Sequence, residues 1–529
     1  MNTNWTRRHF LHAGCLGAAS MMAGRVRGED IQQARHDAEA KAIDIGDRRQ
    51  LFIDDSLLDL DRTQNLTRRL NGPHKIQQIL KPEQPWEKLG FVFYCGVVDD
   101  GGTAKLYYHS YDAEKKKHSM LATSMDGLHW ERPKLGLKAY DGSKENNLLP
   151  ATSVEASVFL DPHAPPEKRY RMVFTRGWPD PERAGVCVAS SPDGLHWGEA
   201  SERCLPFIPD SQPTAFWDER IGKYVIYLRA WNPIRTVARV EVDDLEKPWP
   251  YDASVPPLHV WGKDKIPTVS REIPTVLAYD EQDQPYLQPY TAEVLPYPGV
   301  PDVYFAFPAD FQNYKEAHWK GRALTGNDGT FDIGFATSRD GITWNRWRQP
   351  YISTGLYDDL DLRLVSMGFG AVRRGPWLHQ YFVGWPYTHG QPEVWERDAA
   401  SREPWYGRDK GGIYCATQRV DGYLSMDAAN GGGTLTTRPL AFKGNRLRLN
   451  VHITGGGSAR VALLDAQGKV YPGFSADECE VIQDDAIDYE VRWKNGPDVS
   501  ALAGQPVRVQ VTMRNAKLYA LQFARGSAV

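Results

Sequence analysis

At 529 residues, with 41% hydrophobic and 25% charged residues, the chain has the composition of an ordinary globular protein and excludes a disordered or fibrous one. A formal net charge of −4 without a basic stripe excludes the electrostatic footprint of a nucleic-acid binder. No run of about 20 apolar residues occurs, which excludes an ordinary transmembrane helix.

Arg7-Arg8-His9-Phe10-Leu11 leads into a mildly apolar run rich in Ala, Gly and Met. Paired arginines ahead of such a run predict a twin-arginine export signal over residues 1–28, and hence a periplasmic or extracellular location. Residues 29–45 are polar and read as a linker. Cys15 lies in the signal, and Cys95, Cys187, Cys204, Cys415 and Cys479 follow it with no Cys-x-x-Cys spacing. They read as small buried hydrophobes, not as a disulfide framework or a zinc site. Residues 47–60 open the next part with a strand, expected to complete the last sheet or to pair at an edge.

The sequence 121–130, LATSMDGLHW, returns as VASSPDGLHW at 188–197 and as FATSRDGITW at 335–344. Each copy reads as the end of a strand, a tight Ser-x-Asp-Gly turn and a Trp. The glycine supplies the positive φ of the turn and the aspartate bonds back to the local backbone. Repetition of this unit predicts a β-propeller with one unit per blade. Three strands precede the first copy (91–98, 105–111, 119–123) and three the second (154–160, 170–175, 185–190). A third blade (214–217, 223–229, 236–242) has Asp243-Asp244-Leu245 and Trp249 in place of the motif. An irregular insert over 250–301, rich in Pro and Tyr, comes before the fourth blade (303–307, 330–338). The fifth (364–372, 379–385, 411–417) ends in Asp421-Gly422. The gap between the second and third copies is about twice the others, so the predicted fold is all-β, with five blades over 46–432. After Gly431-Gly432-Gly433, short alternating segments predict a β-sandwich over 433–529.

A five-bladed propeller with Ser-x-Asp-Gly-x-x-Trp turns and a C-terminal sandwich resembles glycoside hydrolase family 32 and its relatives, family 43 included. It looks closest to exported bacterial proteins of the family 32 N-terminal-like type. Phe52-Ile53-Asp54-Asp55, Pro85-Trp86-Glu87 and the PGFSADEC string at 472–479 carry the resemblance. It implies an exported glycosidase acting on a poly- or oligosaccharide at the propeller axis, with an acidic residue at each of the first three inner strands. The family 32 string Trp-Met-Asn-Asp-Pro-Asn is absent, so strand position alone assigns the acids.

Glycosidic cleavage needs two carboxyl groups across the scissile bond. Glu87 precedes the first inner strand, Glu155 opens the second and Asp210 precedes the third; these three are the candidate catalytic set. Candidate substrate-binding residues are Trp86 as a stacking platform, Arg176 and Arg229 at the ends of second strands, and Asp359, Asp361 and Arg363 before the fifth inner strand. His318 and His389, in aromatic loops, complete the set. No ligand string for a metal and no cofactor motif is present; an axial calcium stays open. A carbohydrate is the expected partner, and the oligomeric state stays open. A non-catalytic carbohydrate-binding propeller, a glycoside phosphorylase with basic residues beside a single acid, and a protein-interaction propeller are the alternative readings.

Overall fold

The structure is a computed structural model describing residues 42–150, 155–176, 184–231, 234–252, 260–261, 266–267, 273–314, 318–319, 322–323, 327–354, 362–390 and 411–526. The export signal, most of the linker, Asp359 and Asp361 lie outside the described residues, as does the side chain of His318. Among the described residues the fold is all-β, with three single-turn 3-10 segments, Pro85–Glu87, Pro166–Lys168 and Ser500–Leu502. No helix among them is long and apolar enough to cross a membrane.

Three antiparallel meanders come first. Phe91–Asp100, Thr103–Tyr111 and Lys117–Ser124 form one sheet, and Ala156–Leu160, Tyr170–Arg176 and Gly185–Ser191 the next. Thr214–Asp218, Lys223–Trp231 and Arg235–Val242 form the third, which gains a fourth strand, Thr275–Leu277, from the insert. Their first strands are nearly all buried (Val97, Val158 and Ala215, for example), as aliphatic and aromatic runs require when both faces are covered. Phe91–Asp100 lies against Ala156–Leu160, which lies against Thr214–Asp218, which in turn contacts Val294–Pro296. Leu364–Met367 returns to Phe91–Asp100, and the Val97 N–H bonds the Phe369 carbonyl at 2.8 Å.

The insert is more regular than its composition implies. Leu287–Pro289 and Val294–Pro296 pair with Ala309–Asn313 and Tyr304–Ala306, and these pair with Gly329–Ser338. The fourth sheet therefore begins inside the insert and ends at Asn345–Ile352. Glu293, with φ +41, interrupts its first strand and hides the strand's period in the sequence. The fifth group, Leu364–Met367, Trp377–Trp385 and Gly412–Arg419, is completed by Lys75–Leu80.

Of the two roles expected for 47–60, the strand takes the edge pairing and does not close the last sheet. Ile43–Gly46 pairs in parallel with Leu440–Phe442, and Gln50–Leu51 pairs with Arg508–Ala524. Leu66–Leu70 pairs with Leu424–Ala428. Ile45, Phe52, Leu57 and Leu58 accordingly bury in the C-terminal core with Leu449, Val511 and Phe523. Two long strands, Arg446–Leu464 and Arg508–Ala524, form the spine of that part. Gly455-Gly456-Gly457, which reads as a turn, sits instead in a bulge where the register jumps from Ile453↔Ala516 to Ser458↔Arg514.

All three motif copies build the same turn. The Ser124 hydroxyl accepts the Gly127 N–H at 2.9 Å, and Asp126 Oδ1 accepts the N–H groups of Leu128 and His129, both at 2.8 Å. Asp193 and Asp340 repeat the arrangement. Each turn also binds a tyrosine from another sheet. Tyr381 donates to the Gly127 carbonyl (2.9 Å), Tyr107 to that of Gly194 (3.1 Å) and Tyr227 to that of Gly341 (2.8 Å).

Candidate functional site

The opposite end of the strands carries the unusual chemistry. Glu155 immediately precedes Ala156–Leu160, and Asp210 sits in the loop before Thr214–Asp218. The second strand of each sheet runs antiparallel to the first, so Thr175 and Arg229 return to this same end.

Arg229 is 1% exposed. Its Nε donates to the Tyr290 carbonyl and its Nη1 to Asp210 Oδ2, both at 3.0 Å. The guanidinium lies 4.1 Å from the Tyr290 ring centroid. Asp210 adopts φ +51, a left-handed conformation that aspartate tolerates better than most residues and that costs of order 1 kcal/mol or more. The Arg229 ion pair holds this carboxylate in place while its side chain keeps 38% exposure, enough to meet a ligand.

Burial pushes the Glu155 carboxyl above its ordinary range, and the negative charge of Asp210 pushes it further. Arg229, Lys117 and the hydroxyl of Thr175 oppose the shift without cancelling it. The two acids thus differ in environment: desolvation and a neighbouring carboxylate raise Glu155, whereas Asp210 is ion-paired to Arg229.

Tyr94 completes this group. The first strand leaves register between Phe91 and Cys95, so Val92, Phe93 and Tyr94 fall in an irregular stretch. Such irregularities re-aim side chains next to functional sites. Tyr94 is buried beside Tyr290, Arg229, Glu155 and Asp210, and burial first, then those acids and Tyr290, holds its phenol firmly protonated. Phe93 stacks on Trp385 with centroids 4.4 Å apart and on His389 at 5.8 Å. His389 Nδ1–H donates to the Asn327 carbonyl (2.6 Å), which leaves Nε2 to accept the Tyr290 hydroxyl (3.0 Å). Burial pushes the His389 imidazole down to about 4, so it is neutral at pH 7 and orients Tyr290.

Of the sequence-derived residues, the structure brings together Glu155, Asp210, Arg229 and His389. Glu87 stands apart and has no free oxygen. It is fully buried, Oε1 accepts from Tyr108 and Arg132 (both 3.0 Å), and Oε2 accepts from Arg132 and from the N–H groups of Glu83 and Gln84. Its acid is consumed in holding the Pro85–Glu87 turn against the first sheet. Trp86 belongs there too, its indole N–H donating to Asn147 Oδ1 at 3.1 Å and its ring edge-on to Tyr140. Arg176 lines a separate cleft of about 530 Å³ with Glu202, Arg203, Pro206, Pro248, Trp249 and Tyr251. Arg363 joins the fourth and fifth groups through its backbone, and its Nη1 donates to the Leu362 carbonyl at 3.2 Å.

Sequence reasoning missed Tyr94, Tyr290 and Arg235. Tyr94 sits inside an unbroken apolar run and Tyr290 inside the insert. Arg235, the first residue of a third strand, gives no local signal. Glu293 is a further surprise: it is fully buried, neither carboxyl oxygen has a hydrogen-bond partner among the described residues, and burial alone drives it well above the ordinary carboxyl range. It lies close enough to Cys95 to raise that thiol as well. Among the described residues no cluster of three or more His, Cys, Asp or Glu side chains could hold a metal ion.

No protein-family model matches the sequence, and no curated protein matches it. Solved structures to which the chain is similar include a glycosyl hydrolase from Bacteroides ovatus, at 13% identity and TM-score 0.39, covering 67% of this chain and 96% of that one. A thermostable family-43 glycoside hydrolase shares 14% identity at TM-score 0.36, covering 63% and 88%. A third structure, reported as "The GH130 family of mannoside phosphorylases contains glycoside hydrolases that target beta-1,2 mannosidic linkages in Candida mannan", shares 14% identity at TM-score 0.38, covering 66% and 93%.

Proposed function

We propose that this chain is an exported glycoside hydrolase built on a five-bladed β-propeller with a C-terminal β-sandwich, and that Glu155 and Asp210 cleave the glycosidic bond. Four first strands in sequential contact, and a fifth, Leu364–Met367, that contacts both the fourth sheet and the first strand, support the blade count. The twin arginines support export by a folded-protein route.

One observation carries the catalytic reading. Two carboxyl groups share a site in unlike surroundings: burial and its neighbour's charge raise the Glu155 carboxyl above its ordinary range, whereas Asp210 is ion-paired to Arg229. That divergence assigns acid and base roles. Glu155 protonates the departing glycosidic oxygen. Asp210, fixed by its ion pair with Arg229, attacks the anomeric carbon or activates the water that does. The separation of the two carboxyl groups selects between these routes and so sets the stereochemical outcome. Phe93 and Trp385 add aromatic surface of the kind that packs on the C–H faces of a sugar ring.

The test is a screen of the purified chain against aryl glycosides and plant and algal polysaccharides, with Glu155→Gln and Asp210→Asn in parallel. Turnover that both variants abolish supports the reading. Turnover that survives in Glu155→Gln refutes it.

A further inference from the structure

Arg235 is a buried guanidinium held by neutral partners. It is 5% exposed. Its Nη1 donates to Gln288 Oε1 at 3.0 Å and its Nη2 to Asn327 Oδ1 at 2.9 Å. Its carbon centre stands 4.5 Å from the Trp231 centroid and 4.8 Å from that of Tyr290. Tyr290 is therefore shared with Arg229, and the two cations are close enough that the charge of Arg229, after burial, helps push Arg235 down to about 10. At neutral pH both remain charged.

Among the described residues Asp210 is the one carboxylate ion-paired to either guanidinium, and it pairs with Arg229 alone. His389 is neutral. Two N–H donors, Arg235 Nε and Arg229 Nη2, are buried without a hydrogen-bond partner among the described residues. A buried arginine normally has its charge matched and its fork occupied, because an unmatched one is costly. Here two close guanidinium groups share a single ion-paired carboxylate, with two donors unused, beside the acids that would cleave the substrate.

We propose that the sugar bound at this site carries an anionic substituent, a uronate carboxylate or a sulfate ester, seated against Arg235 Nε and Arg229 Nη2. This rests on the carbohydrate-site reading above and narrows its substrate class. Carboxylate and sulfate oxygens both accept charge-assisted hydrogen bonds from guanidinium N–H groups, and the low-dielectric aromatic surround strengthens the contact.

The experiment is calorimetry on the full chain at neutral pH and low salt. The probes are glucuronate and galacturonate, glucose 6-sulfate and galactose 6-sulfate, neutral glucose and galactose, and inorganic phosphate. At least one anionic sugar should bind about tenfold or more tightly than its neutral counterpart. In Arg235→Met, which keeps the volume between the aromatic rings, that margin should fall to within about twofold while neutral-sugar affinity holds. Arg235→Lys, which keeps charge without the fork, should retain part of it, and the melting temperatures of both variants report that the fold is intact. Equal affinity for acidic and neutral sugars overturns the proposal, as does a preference that survives Arg235→Met. Binding of phosphate without any preference for acidic sugars also overturns it and makes the pair a phosphate site. Binding is read here without turnover, so a failed hydrolase assay and a failed anion preference are separate results.

Discussion

The two ends of the strands differ in how their polar groups are used. At the Ser-x-Asp-Gly end, the hydroxyl and carboxylate of each motif are taken up by the turn's own N–H groups, and the turn glycine's carbonyl is taken up by a tyrosine from another sheet. At the other end lie a strained aspartate, an acid biased toward its proton and two close arginines with unpaired donors. Closed hydrogen-bond sets stabilise, whereas open ones cost stability and are retained where a ligand closes them. The fold is thus secured from one end and leaves the other free for chemistry.

The largest effects should separate the two ends cleanly. Glu155→Gln should lower turnover by about 10²- to 10⁴-fold, the usual contribution of a general acid, while chemical denaturation shows stability unchanged or higher. Asp210→Asn should do the same to turnover and also act on the pH profile. The charge of Asp210 helps raise Glu155, so its removal brings the acid's pKa down. The alkaline limb of kcat/KM in any residual activity should therefore move to lower pH. A limb that stays in place would mean that burial alone sets the acid.

Gly194→Ala is the converse experiment. Gly194 has φ +76, and an added Cβ would stand 2.3 Å from the Tyr107 hydroxyl. Strain plus clash should cost about 2–3 kcal/mol in a urea titration, with turnover per folded molecule unchanged. Gly142→Ala is the control. Its φ is +80 with nothing within 4 Å of the added carbon, so strain acts alone and the loss should be about 1 kcal/mol. If the two cost the same, the tyrosine contact contributes nothing.

Glu293 tests whether the open end is costly. Its folded pKa is raised, so the native state holds a proton that the unfolded chain releases above the ordinary glutamate range. Whatever stability this group contributes is present in full at low pH and is lost as pH rises toward the folded pKa. Glu293→Gln, neutral at every pH, should raise the melting temperature at pH 7.5 and have much less effect at pH 4. A difference that grows toward acid would reverse the assignment.

The two ends were also unequally legible in the sequence. The turn is made by residues within a few positions of one another, so its chemistry is written as a string and recurs as one. The site draws Tyr94, Glu155, Asp210, Arg229 and Tyr290 from four separate sheets, and no spacing along the chain encodes that convergence. Glu155 was visible because a carboxylate beside an apolar strand stands out. Glu87 has the same local signature, but its partner Arg132 lies across a loop and turns it into a structural anchor. Tyr94 was hidden by its apolar neighbours. The first strand of the fourth sheet was hidden by prolines and by the left-handed backbone at Glu293.

The smallest expected effects lie within the structural end, at a seam without a motif turn. Where the second sheet meets the third, Asp243-Asp244-Leu245 replaces Ser-x-Asp-Gly, and charges do the work of the tyrosine. Glu246 pairs with Arg171 and, at 2.7 Å, with Lys168; Arg171 also holds Asp161 at 3.1 Å, and the Tyr224 hydroxyl donates to Asp161 at 2.8 Å. Burial opposes ionisation of Glu246, but hydrogen bonds from Lys168 and Arg171 outweigh it and hold the carboxyl below its ordinary range. Its contribution is therefore present above the unfolded pKa and is lost as pH falls through the folded one. Glu246→Gln should cost about 1 kcal/mol or less in low salt, and the loss should shrink as salt is raised, because a partly exposed network is screened. Tyr227→Phe, which removes a neutral clamp at the seam between the third and fourth sheets, should cost about 1 kcal/mol at any salt concentration. Parallel salt series of urea midpoints for the two variants distinguish the seams. If the loss in Tyr227→Phe tracks salt as that in Glu246→Gln does, the tyrosine acts through the neighbouring Arg239, whose guanidinium stands 5.9 Å from the Tyr227 ring centroid, and the seams are not held by different physics.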